Sequence, residues 1–386
     1  MVQTALREAI VLLWLGTTNM NVCFQNRTMD SHRVVLLILH VVAVKMCHPG
    51  CQCEVENFGF FSSFTLTKVD CSGVGPIMVP VSIPLDTSSL DLSSNGIHSI
   101  EGSILSGPGY TTLSSLNLSN NLISVVNSSM FSNLCYLETL DLSRNAIKIL
   151  VEGCFSSLPL AEVDLSYNQI REVNLNVFNV RDHGRLLNID LSHNLVRAVT
   201  PSHLSNIQSL NLAGNQLRSI PDLQDTSLRS LNLADNPISI IDKKSFAGLK
   251  YLVHLFLSKM PQLHTLHPQS LQDLQNLQVL DLSHNSKLKS LSTDVLSGLT
   301  QLEELNLSNS GVVSLPANIL QLLPGIKNIF LRNRVKCWRV HKQKLFHRHV
   351  KRIDTTELLT CNVTGLWQTW ILMLLLLSYF HVQLSY

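Results

Sequence analysis

A stacked, curved α/β solenoid is the fold this sequence predicts. Three observations carry that prediction. Eleven stretches approximate L-x-x-L-x-L-x-x-N-x-L, spaced 21 to 26 residues apart. An asparagine recurs at one fixed place in most of them. Cysteines cluster at the two ends of the array, where a solenoid needs caps.

Residues 1–46 read as a leader. Ile10–Leu15 is a short apolar patch. The stronger signal is Val34–Val44, with Arg33 before it and Cys47 soon after. Met29 to about residue 44 therefore has the charged and apolar regions of a signal peptide. Met29 is read as the working start and residues 1–28 as an upstream extension; the alternative is one long leader. Either way the mature chain begins near Cys47, and Cys23 is lost.

Residues 47–85 form the expected N-terminal cap. Cys47, Cys51, Cys53 and Cys71 precede the repeats and allow three pairings. Zinc is disfavoured, because the cluster lacks paired C-x2-C spacing. Disulfides require an oxidising compartment. Sequons at Asn26, Asn117, Asn127, Asn306 and Asn362 agree with one. Asn117 and Asn306 fall inside L-N-L-S on a strand; Asn127 lies past one and is expected to be more accessible.

Residues 86–333 hold about ten or eleven leucine-rich repeats, which predict a horseshoe with a parallel concave sheet. The fourth motif position runs Leu90, Leu116, Leu140, Val163, Ile189, Leu210, Leu231, Leu255, Leu280, Leu305, Ile329. Side chains alternate along a strand, so in L-x-L the leucines face the core and the intervening residue faces out. The asparagine amide has donors and an acceptor for backbone groups at the turn, and its repetition predicts a buried ladder. Phe131, Phe155 and Phe246 begin F-x-x-L words expected in the convex-side core. Three units decay: Met260, Ser310 and Arg334 stand where asparagine is expected. The last fits a terminal cap; the Met260 unit reads as a local irregularity or a functional bend. Cys135 and Cys154 lie in adjacent coils, either as a pair or as buried free thiols.

The position between the strand leucines holds Asp91, Asn117, Asp141, Asp164, Asp190, Asn211, Asn232, Phe256, Asp281, Asn306 and Phe330. Tyr167, His193, Lys259 and His284 flank this column, with His254, Glu303 and Glu304 on the next. Aspartate and asparagine are routine in such a column. An acidic strip interrupted by an aromatic side chain also suits protein binding, since aromatic residues dominate interfaces. The candidate ligand-binding set is Asp141, Asp164, Tyr167, Asp190, His193, His254, Phe256, Asp281 and His284.

Residues 334–365 form a basic C-terminal cap with Cys337 and Cys361. Arg332–Arg352 carries nine Lys/Arg and no Asp/Glu, so the rest of a chain of net charge +2 sums to −7. Such a division suits a solvated cap or binding to sulfated polyanions such as heparan sulfate, through Arg339, Lys342, Lys344, Arg348, Lys351 and Arg352. His341, His347 and His349 lack a carboxylate or cysteine to complete a metal set. The apolar tail, residues 366–386, contains Leu366–Phe380, shorter than the roughly 20 residues of a membrane span. Lipid-anchor processing would remove Cys361 and orphan Cys337. A secreted product is therefore expected, with a membrane-held adhesion protein or co-receptor as the alternative. No catalytic motif, cofactor loop or nucleic-acid module appears, so no enzyme, no cofactor and no nucleic-acid partner is expected.

The words Cys47-His-Pro-Gly-Cys-Gln-Cys-Glu-Val-Glu-Asn-Phe-Gly, Leu66-Thr-Lys-Val-Asp-Cys-Ser-Gly-Val-Gly-Pro, Pro84-Leu-Asp-Thr and Gly107-Pro-Gly-Tyr-Thr-Thr-Leu113 closely resemble a member of the small leucine-rich-repeat proteoglycan group. The resemblance runs from about Cys47 to Cys361. It implies an extracellular modulator of developmental signals. It implies binding to bone morphogenetic proteins together with chordin. It also implies action on nodal-type and other transforming-growth-factor-type signals, and on fibroblast-growth-factor, Notch and Wnt signals, the last through Frizzled receptors. It implies pairing of Cys47 with Cys53, Cys51 with Cys71 and Cys337 with Cys361. Ser72-Gly-Val-Gly and Ser106-Gly-Pro-Gly match a glycan-attachment pattern and read equally well as turns.

Overall fold

Strand leucines that no single coil can bury force the coils to stack, and the computed structural model shows how they do so. It describes residues 47–57, 65–75, 81–100, 105, 107–127, 129–156, 158–178, 186–200, 206–224, 226–312, 314–331, 335–343 and 355–363, the last two as backbone. The proposed leader with Met29, the sequon at Asn26 and the apolar tail lie outside the described residues.

The chain divides into two units, one of residues 1–170 and 176–187, the other of 171–175 and 188–386. In the first, the hairpin Gln52–Asn57 and Thr65–Asp70 is antiparallel. Its second strand pairs in parallel with Thr87–Asp91. Ser115–Asn117, Thr139–Asp141 and Glu162–Asp164 follow, one per coil. In the second unit, Ile207–Asn211, Ser230–Asn232, His254–Phe256, Val279–Asp281, Glu304–Asn306 and Asn328–Phe330 form the corresponding parallel series. The antiparallel strands Val335–Gln343 and Thr355–Val363 end it. Their register sets Cys337 opposite Cys361.

The registers place motif leucine beside motif leucine, as in Leu210↔Leu231 and Leu255↔Leu280. These side chains are buried. Each contributes roughly 1.5–3 kcal/mol by leaving water. On the opposite side, Phe131, Phe155 and Phe178 stack with centroids 6.4 and 5.5 Å apart. Phe178 joins this spine without the F-x-x-L word that marks the other two. The return side also has less helix than the α/β expectation. Among the described residues it carries short parallel pairs, such as Val125–Val126 with Ile149–Leu150, two four-residue α-helices, Thr293–Leu296 and Ile319–Leu322, and 3-10 turns at Pro108–Tyr110 and Leu175–Phe178.

The expected asparagine ladder is present. Asn145 Nδ2 donates to the carbonyls of Leu118 in the coil before and Leu142 in its own. Its Oδ1 accepts from Ile123 N–H. Asn121, Asn168, Asn215, Asn236 and Asn285 repeat the pattern. The residue before the ladder position adopts the left-handed conformation in coil after coil, including Arg144, Tyr167, His193, Lys259 and His284. Met260 settles its own question: Lys259 keeps φ at 55° and the strand register runs through unbroken, so the coil does not bend. Met260 is buried, and its N–H donates to Asn285 Oδ1. The irregularity is one of side-chain chemistry.

Cys47 bridges Cys53 and Cys51 bridges Cys71. A joint fixes this cap to the first coil. The Tyr110 hydroxyl accepts from Val81 N–H at 2.9 Å and donates to Val81 C=O at 3.0 Å. Burial pushes the phenol up to about 12. Thr112 Oγ1 donates to the Leu85 and Thr87 carbonyls. A Cβ on Gly109 would come within 2.7 Å of the Pro84 carbonyl oxygen, so only glycine allows the approach. Cys135 and Cys154 do not pair with each other. Cys154 is a buried free thiol, pushed up to about 12 by that burial, whereas Cys135 is disulfide-bonded.

Asn145→Ala removes four buried hydrogen bonds at once. It is expected to destabilise the protein by about 3 kcal/mol or more, since an orphaned buried group costs about 1–3 kcal/mol. Denaturant unfolding of the purified protein checks this; an unchanged midpoint would mean that the ladder is ornamental.

Candidate binding surface on the parallel sheet

Alternation along each strand presents two side chains to the sheet face, and the column between the leucines is the one read as acidic. Its carboxylates have a prior commitment. The Oδ1 atoms of Asp141, Asp164, Asp190 and Asp281 each accept from the backbone N–H two residues on, at 2.7–2.9 Å. Asn117, Asn211, Asn232 and Asn306 make the same bond. Asp70 in the cap does so too, and the Ser72 bond lowers its carboxyl from the usual range. Lateral bonds add to this, with Asn117 Nδ2 donating to Asp91 Oδ2 and Asn211 Nδ2 to Asp190 Oδ2. The four candidate aspartates are turn-forming residues first, and Asp190 commits its second oxygen as well.

Phe256 cannot make that bond. It is half-buried on the sheet face of the second unit, between Asn232 and Asp281. His254 lies beside it, ring centroids 6.5 Å apart and planes 12° from parallel. Next to His254 is a shallow depression lined by Asn188, Gln208, Ser209, Arg229, Ser230 and Val253. Sequence reading missed it. The available signal was the pair of small serines, Ser209 and Ser230, ending at the large His254. Arg229 is exposed and enters no ion pair among the described residues.

His193 and His284 sit in the left-handed turns at the sheet margin. The His193 ring lies over Gly214, where a Cβ would come within 2.6 Å of Nδ1. His284 Nε2 is 3.4 Å from Asn309 Nδ2. Tyr167 belongs to the first unit with Asp141 and Asp164, and the Arg144 guanidinium stacks on its ring at 4.4 Å. The surface centred on Phe256 therefore comprises His254, Asp281 and the depression, with His193 and His284 at turns of the same unit. Of the polyanion candidates, Arg339 and Lys342 lie on Val335–Gln343. Lys344, Arg348, Lys351 and Arg352 lie outside the described residues, and Asn362 is described in backbone alone. Among the described residues no cluster of His, Cys, Asp and Glu could hold a metal ion.

Stacked leucine strands, an asparagine ladder and a disulfide-tied cap define a leucine-rich-repeat protein. Leucine-rich-repeat family models match residues 111–170, 227–249, 261–312 and 276–333. A chain in the crystal structure of the mouse RP105/MD-1 complex shares the fold, with a TM-score of 0.56 and 23% identity over 68% of this chain and 45% of that one. Curated relatives are more specific. Tsukushi of Gallus gallus is 50% identical over 336 residues, 85% of this chain and 91% of that protein. Tsukushi of Danio rerio is 52% identical over 84% and 94%, and that of Homo sapiens 46% over 82% and 91%. The chain belongs to the Tsukushi family.

Asp281→Asn keeps the Oδ1 acceptor and is expected to leave stability unchanged, as the natural asparagines of the column imply. Asp281→Ala loses the bond and is expected to cost about 1 kcal/mol. Thermal or denaturant melts of the two variants decide between a turn role and a purely ligand-facing one; equal melts for both would refute the turn role.

Proposed function

We propose that this chain is a secreted, non-catalytic modulator of developmental signals, which captures a protein ligand of the bone-morphogenetic-protein or Frizzled type on the sheet face around Phe256. One observation carries the reading. In a column where aspartate and asparagine tie themselves to the backbone, Phe256 alone in the middle of the second unit presents an uncommitted aromatic face. His254 extends it, and a polar depression adjoins it. An aromatic anchor beside polar groups is the composition of an interface core. Membership of the Tsukushi family supports the extracellular assignment, and so do the cap disulfides. No helix among the described residues is long and apolar enough to cross a membrane. The growth-factor, chordin and receptor partners follow from the resemblance. A membrane-held adhesion protein would appear in the membrane fraction, a secreted modulator in the medium.

Phe256→Ala is expected to be secreted normally, because the side chain points away from the leucine core. It is expected to weaken capture of the ligand by about thirty-fold, the equivalent of roughly 2 kcal/mol. Lys250→Glu, on an exposed turn away from the strands, serves as the control. Surface plasmon resonance with a purified bone morphogenetic protein or a Frizzled cysteine-rich domain reads both. Binding that survives Phe256→Ala but is lost with Lys250→Glu would move the site off the sheet.

The basic C-terminal strands are proposed to add a contact for sulfated glycans such as heparan sulfate. Replacing Arg339, Lys342 and Arg348 with Ala is expected to lower the salt needed for elution from heparin, since exposed charges act over about 8 Å at physiological ionic strength. Unchanged elution would assign these charges to solubility alone.

A further inference from the structure

We propose that Asn127 carries an N-linked oligosaccharide whose inner sugars cover an apolar flank of the first unit and keep that flank from self-association. The strand Val125–Val126 pairs in parallel with Ile149–Leu150 on the side of the coils away from the leucine strands. Their outward residues are unusually apolar: Val125 is 55% exposed, Ile149 66% and Val151 40%. Val125 lies beside Ile149. Val151 N–H donates to Val126 C=O, so the register continues and sets Asn127 beside Val151. The sequon thus ends the same short strand whose outward face is apolar.

The three described sequons differ in what their amides do. Asn117 spends Nδ2 on Asp91 Oδ2, in the middle of the sheet. Asn306 is half-buried between Asp281 and Phe330 in the same kind of column. Asn127 uses only its oxygen: Oδ1 accepts from Ser129 N–H at 3.1 Å and from the Ser129 hydroxyl at 2.8 Å. Its Nδ2 donates to nothing among the described residues. In the transfer, that nitrogen forms a bond to the sugar's anomeric carbon and loses one proton. The diphosphate of the lipid carrier leaves with the electrons of the broken C–O bond.

The chemistry of the occupant fits. An N-acetylglucosamine presents C–H faces and an acetyl methyl, which suit aliphatic side chains, while its hydroxyls face water. The apolar group is small, two side chains on the paired strands and Val151 just past them. Bare, it is a flat apolar ledge that a second copy could match by the same residues, an isologous contact.

The inference rests on the secretory reading only in that the chain must meet the glycosylating machinery. The full chain is expressed in glycosylating animal cells, recovered from the medium, and its Asn127 peptide is weighed by mass spectrometry. Expected are an occupied Asn127 and a monomer by light scattering. Removing the glycan, by Asn127→Gln or by endoglycosidase on the native protein, is expected to raise apolar-dye fluorescence several-fold and to shift the mass to dimer or larger. Adding Val125→Thr and Ile149→Thr in the Asn127→Gln background is expected to reverse both. Should Asn127→Gln stay in the cell, the enzymatic arm gives the same readout. A bare Asn127 in protein from the medium overturns this inference alone, as does glycan loss without change in dye binding or mass. Absence from the medium overturns the secretory reading and this one with it.

Discussion

Where each strand turns back, a leucine carbonyl is left facing the interior with no strand to pair with. One amide per coil resolves this. Asn145 donates to the Leu118 and Leu142 carbonyls together, and the oxygen of the same amide takes up the Ile123 N–H. A buried polar group left unmade costs about 1–3 kcal/mol, so a turn without this amide would offset much of what its leucines contribute. The bonds run between coils as well as within them, so each asparagine also sets the stacking register of its neighbour. At the cap side the series ends visibly: Asn95 still donates to the Cys71 and Leu92 carbonyls, but its own Oδ1 is buried without a donor.

Away from the terminal unit, the coil that departs most from this scheme is also the one with the binding candidate. It has methionine in place of the ladder asparagine and phenylalanine in place of the turn-tying aspartate. Two local polar anchors are lost together, yet the backbone does not change course. The bonds to the adjacent coils persist. Asn285 accepts from Met260 N–H, and Leu257 and Lys259 donate to the Asp281 and Ser283 carbonyls. Leu233 N–H donates in turn to Phe256 C=O. With its backbone held from both sides, the coil can carry side chains chosen for something other than the turn. This is the physical reason for attaching function to Phe256 and not to any one aspartate of the column.

Strand positions, the ladder and the first two aromatic rungs were legible in the sequence, because each depends on spacing alone. Leu210, Leu231 and Leu255 fall in register as their period requires. Phe178 was not legible, since its coil reaches the stack through a different word. Nor was the double life of Asp141, Asp164, Asp190 and Asp281: composition reveals a carboxylate but not that its Oδ1 is already bonded. The left-handed residue before each ladder position was announced in some coils, by Asn120, Gly214 and Asn309, and hidden in others, where arginine, tyrosine, histidine or lysine occupies it. The word around Gly109 and Tyr110 supported the family resemblance without showing its physical purpose, the clamp on Val81. The depression beside His254 needs three dimensions, because it arises from side-chain sizes on several neighbouring strands.

The same backbone economy separates the two surfaces of functional interest. On the sheet face, most outward residues already bond to their own coil, so a ligand meets side chains fixed in place before it arrives. Ordering a long side chain on binding costs about 0.5–1.5 kcal/mol, and a surface whose turns are held beforehand avoids part of that cost. An aromatic step with two rotatable bonds, set on a rigid strand and flanked by the tied Asn232 and Asp281, can therefore yield affinity from a small area. On the flank at Val125 and Ile149 the outward side chains are aliphatic and make no hydrogen bonds, so they confer no direction on a partner. A surface of the first kind favours selection among ligands; one of the second kind favours indiscriminate contact unless something covers it. A carbohydrate beginning at Asn127 would leave the sheet face as the available protein-binding surface, by removing its less selective competitor.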